Sequence, residues 1–172
     1  GKVVFDGYMA ALMLAKARED RPALDIAASV LDRMLPDDAD TKDFLTAMRN
    51  DDLGKLNMDN VNAGVTGLIL SWFSEANLAA PPRLMQISVF QNDMTTWCVN
   101  IAQAILEDDN EQLAHAIDEA EAHHLVVHAA RMRVVLAQRT HDRAQMERAR
   151  LVLERLQDRR FLNRLQEVEE AR

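Results

Sequence analysis

The sequence predicts an all-α fold, and three observations carry the prediction. Ala, Leu, Arg, Glu, Met and Gln are plentiful, Gly (5) and Pro (4) are few, and the alternation of Val, Ile and Thr that marks strands is scarce. Apolar residues recur at helical spacing in almost every segment between breakers. The stretch Leu125–Arg139, LVVHAARMRVVLAQR, is Leu, Val, Ala or Met around most of its circumference. Its polar residues other than Arg133, namely His128, Arg131, Gln138 and Arg139, with His124 just before it, fall within one arc of about 100°. Neighbours should cover the rest. The expected architecture is therefore a set of antiparallel helical hairpins stacked on one another, with an irregular helical bundle as the alternative.

Taken in order, residues 1–6 read as a short extended lead-in to a helix over Gly7–Arg18, with Tyr8, Leu12 and Ala15 on one face. The turn Glu19-Asp20-Arg21-Pro22 places Pro22 in the first turn of a second helix, Ala23–Leu35, where a missing N–H costs nothing. Leu24, Ala27, Ala28, Leu31 and Leu35 form its stripe, and Pro36 stops it. Residues 37–60 read as an irregular connector holding one short helix around Phe44, Leu45 and Met48, capped by Asp40 or Thr41. Val61–Ala76 is the next helix, capped by Asn60 or Asn62, and Asn77–Pro82 breaks it. Arg83–Asp108 is one helix or two, with Asp93 favouring a split near Asn92. Asp108-Asp109-Asn110 turns into Glu111–His123; then follow Leu125–Arg139, Arg143–Leu156 and Phe161–Ala171.

Length and charge bound the rest. A chain of 172 residues fits one domain, divided here into a first hairpin (1–36), the connector (37–60) and stacked hairpins (61–172). A single cysteine, Cys98, excludes an internal disulfide, which argues against an oxidised secretory scaffold. The most apolar run, Val65–Phe73, falls well short of the ~20 residues a membrane span needs. No signal segment opens the chain, so a cytoplasmic location is expected. A start at Gly1 rather than Met suggests a processed tag or an excised piece of something longer. The net charge of −8 divides unevenly, because residues 131–172 carry 11 Arg against 7 acids. These arginines alternate with glutamates at helical spacing and lack aromatic interleaving, so a solvated helix face is expected rather than a nucleic-acid surface.

Superimposing the turn at Glu107–Glu111 on that at Arg139–Arg143 pairs Leu113 with Met146 and Ala116 with Ala149. Ile101 then pairs with Val134, and Ala104 with Ala137, all 33 positions apart. A helix–turn–helix period of 33 to 34 residues resembles tetratricopeptide-type arrays, and the likeness covers residues 1–36 and 93–172. Tyr8 and Trp97 stand where such units carry an aromatic, and Pro36 where they carry a closing proline. No unit carries the full pattern, since Leu12 and Ile101 replace the expected small residue. The C-terminal segments are also similar to the degenerate repeats of large bacterial signal-transduction ATPases and transcriptional regulators. The resemblance implies a protein-interaction scaffold, a sensing or relay domain inside such a regulator. A secretion or assembly chaperone and a metal-dependent helical-bundle enzyme are the competing classes.

The chemistry on offer is sparse. Glu121 and His124 have the spacing of a di-iron ligand pair, and His115, Glu119 and His123 repeat at i, i+4, i+8. A second such motif and further inward glutamates are missing, and a helix break near His124 would separate the faces, so no metal is expected. The acidic run Asp37–Asp43 lacks the glycine and terminal glutamate of a calcium loop. Cys98 has no neighbour in sequence to stabilise a thiolate, Ser71 and Ser74 lack an elbow motif, and Gly54, Gly64 and Gly67 make no phosphate loop. Neither enzymatic activity nor a cofactor is expected. Met9, Met13, Met85, Met94, Met132 and Met146 read as core filler.

Arg133 lies about 140° from His128 on the same helix, among residues that should be covered. One reading pairs it with Glu119 or Glu147; the other offers it to a partner's carboxylate. Asn100 and Gln103 on one first helix and His128 and Arg131 on the next would form an exposed polar groove. These five residues are the candidate partner-binding set, for another protein or another domain of the parent chain.

Overall fold

Ten α-helices and no strand occur among the described residues of a computed structural model, which are 2–56, 66–86 and 93–171. The helices are α1 (Lys2–Ala17), α2 (Arg21–Met34), α3 (Ala39–Asn50), α4 (Thr66–Glu75), α5 (Pro82–Gln86), α6 (Asp93–Leu106), α7 (Asn110–Ala122), α8 (Val126–Thr140), α9 (Arg143–Leu156) and α10 (Arg159–Glu170), with a 3-10 turn at Leu53–Lys55. The all-α expectation holds. The expected caps Asn60 and Asn62, Gly64 and the join at residues 87–92 lie outside the described residues.

Local chemistry sets the helix ends. The extended lead-in expected at residues 1–6 is corrected, because α1 is helical from Lys2: Phe5, Tyr8, Met9 and Leu12 continue one stripe. Asp20 caps α2 by accepting from the Ala23 N–H at 3.2 Å. At the other end Leu35 is extended, as a residue before proline prefers. The cap of α3 is Asp38 rather than Asp40 or Thr41. Its carboxylate accepts from the Thr41 N–H at 2.9 Å and the Thr41 hydroxyl at 2.8 Å, and these bonds hold its carboxyl below the usual value. Asp51, Asn77, Asp108, His124 and His141 take positive φ just after helices, the left-handed conformation that closes a helix and that Asn, Asp and His tolerate better than other side chains.

The expected single domain divides into two compact units, residues 1–61 with 157–160 and residues 62–156 with 161–172. In the first, α2 packs on α1 and on α3, and the segment read as connector contributes buried Leu45, Ala47 and Met48 to a unit in which Leu12, Leu24 and Leu31 are also buried. Lys16 is buried there; its ammonium donates to the Met48 carbonyl at 2.5 Å and pairs with Asp51. It thereby satisfies the negative end of α3.

The second unit is organised around α8. Ala129, Met132, Val135 and Leu136 of α8 close a core with Ile101, Ala104 and Ile105 of α6 and Leu113, Ala116, Ile117 and Ala120 of α7. The opposite side of the same helix, Ala130, Val134 and Ala137, closes another with Met146, Ala149 and Leu153 of α9 and Phe161, Leu165 and Val168 of α10. The expectation that α8 is wrapped by its sequence neighbours is met. Moving 33 positions along the chain carries Ile101, Ala104, Leu113, Ala116, Ala120, Met132 and Val135 of the first core onto Val134, Ala137, Met146, Ala149, Leu153, Leu165 and Val168 of the second. The same step carries Trp97, packed against the first core, onto Ala130, and His128 onto Phe161. The apolar helix α4 packs against α6 and α8.

Candidate functional site

Two sides of α8 are apolar; its remaining positions hold His128, Arg131, Arg133 and Arg139, around which charged and polar clusters form. The residues expected to line an open groove are for the most part engaged within the chain. The C-terminal end of α4 rests on His128 and Arg131. Ionised Glu75 can only accept, so His128 Nδ1–H donates to its Oε1 at 3.3 Å, and Arg131 Nη1 donates to the same oxygen at 3.4 Å. The three side chains are 10%, 11% and 14% exposed for Glu75, His128 and Arg131 respectively. The expected exposed arc is corrected at these two positions, because α4 covers it.

Arg164, 33 positions after Arg131, joins the cluster from α10. One guanidinium nitrogen donates to the Glu75 carbonyl, left open by the end of α4, and another to Gln138 Oε1 at 2.8 Å. The two guanidinium carbons lie 5.1 Å (Arg131) and 4.6 Å (Arg164) from the centre of the Phe161 ring, within cation–π range. The ring thus carries two guanidiniums at repeat-equivalent positions. His128 Nε2 is buried with no hydrogen-bond partner among the described residues.

Arg133 occupies a separate cluster. Its side chain is wholly buried, with Nη2 donating to Asp118 at 2.9 Å and Glu121 at 3.1 Å and Nη1 to Gln145 at 2.8 Å. Arg148 of α9 binds the same two carboxylates at 3.4 and 2.8 Å. The expected partners Glu119 and Glu147 are corrected to Asp118 and Glu121, which sit one turn apart on α7 and so face α8 together. Burial works to raise the Glu121 carboxyl, but the hydrogen bond and charge of Arg133, with Arg148, outweigh it and hold it below its usual value. This arrangement clamps α7, α8 and α9.

A third arginine, Arg139, ties turns together. It donates to Asn110 Oδ1 at 2.6 Å and Asn77 Oδ1 at 2.9 Å and pairs with Asp108. Asn100 remains exposed on α6, and half-buried Gln103 donates to Glu107 one turn on at 2.8 Å. By the 33-residue step Asn100 is the counterpart of Arg133, not of His128. The five candidate residues therefore do not form one surface.

The histidines disperse. His123 donates from Nδ1 to the Glu119 carbonyl at 2.8 Å and stacks on Trp97 at 4.1 Å. His124 sits in the turn at φ 72°, and His128 faces α4. No group of three His, Cys, Asp or Glu side chains fit to hold a metal occurs among the described residues. Cys98 is buried, and burial, aided by the Glu75 charge, pushes its thiol up to about 11; it is therefore protonated and unreactive at neutral pH.

Sequence reasoning missed Glu75 and Arg164. Each left a signal. Glu75 is the only charged residue between positions 60 and 82, and Arg164 follows from Arg131 by the period already found. No family model matches the chain, and no curated protein or solved structure matches it at a significant level. No helix among the described residues is long and apolar enough to cross a membrane.

Proposed function

We propose that the chain is a protein–protein interaction scaffold, a tetratricopeptide-like stack of helical hairpins without chemistry of its own. The supporting observation is the pair of three-helix cores that share α8, in which seven of the eleven buried residues of the first map onto buried residues of the second at a step of 33 residues. Stacks of this kind bury a continuous core between neighbouring hairpins and leave extended lateral faces for recognition. Such a scaffold suits the sensing or relay role of a transcriptional regulator, a reading that rests on the sequence resemblance alone.

With His128, Arg131 and Arg133 engaged internally and half-buried Gln103 bonded to Glu107, Asn100 is the member of the candidate set offered to a partner. The test is affinity capture from a native lysate with the intact chain as bait, beside the Asn100→Arg variant, with metal assayed in the same sample. One stoichiometric folded partner, lost or weakened in the variant, supports the reading. Absence of any partner together with tightly bound metal or substrate turnover would overturn it, and a set of unfolded clients would point to a chaperone instead.

A further inference from the structure

We draw no further inference here: the strongest candidate, the uncharged exposed stripe of Val4, Gly7, Ala11 and Leu14 along α1, is an apolar helix face for which nothing in the structure shows what covers it.

Discussion

The core of α6, α7 and α8 and the core of α8, α9 and α10 share a pattern but differ at their edges. In the first, Ala114, Ile117 and Leu136 continue the apolar packing; 33 positions on stand Glu147, Arg150 and Glu169. Arg150 pairs with Glu169, and a cleft of about 410 Å³ opens beside them, bordered by Met146 and Val168. The outer helices differ in the same sense. Where α8 turns Ala130, Val134 and Ala137 into the second core, α10 presents exposed Asn163, Glu167 and Glu170. The period sets which positions are apolar at the centre of each core. On the outer helices the difference follows cover: α9 and α10 pack on Ala130, Val134 and Ala137 of α8, whereas their counterparts on α10 are exposed and polar.

The largest break in this comparison is to place the second core's residue in the first. Ile117 is fully buried, so Ile117→Arg strands a charge among apolar side chains and should cost about 4 kcal/mol or more. Urea denaturation checks this, and a loss under about 1 kcal/mol would show that the two rims are interchangeable. Next is Phe161→Ala, expected to cost about 3–5 kcal/mol, since the ring fills the second core and lies beneath both arginines. A thermal scan indistinguishable from the parent's would contradict that packing.

Matched truncations sharpen the contrast. Leu113 is 0% exposed and its counterpart Met146 is 8% exposed at the cleft. Leu113→Ala should therefore fall within the ~2–5 kcal/mol range of core truncations and exceed Met146→Ala by at least about 1 kcal/mol. Equal losses would mean that the cleft does not relieve the second core. The reciprocal exchange, Arg150→Ile, should change stability by no more than about 1 kcal/mol, because Arg150 is 39% and Glu169 40% exposed.

The smallest effect is on pH dependence. Glu121 titrates below its usual value in the fold, so its contribution is full above about pH 4.5 and is lost as pH falls through the folded value. The stability gap between the parent chain and Glu121→Gln should narrow as the medium is acidified from about pH 5 to about pH 3. A gap that widens instead would mean burial, not the Arg133 and Arg148 charges, governs this carboxylate.

Much of this architecture was readable from the chain by itself, because it depends on near neighbours in sequence. The stripes of α2 and α7, the turn at Asp108 and the break at His124 follow from 3.6-residue periodicity and from residues that stop helices. The burial of α8 on two sides was legible because, up to Arg139, its residues outside one polar arc are apolar with the single exception of Arg133. Pairing across long sequence separations was not. Glu75 and His128 stand 53 positions apart, and Glu75 and Arg164 stand 89 apart. Periodicity gives each helix a face but no partner for it. Only the seating of α4 across α8 converts an exposed arc into a buried ion cluster, and only the rotation of α7 hands Arg133 to Asp118 and Glu121 rather than to Glu119. Charges attract at short range whatever their order in the chain, so their pairing is set where packing brings helices together.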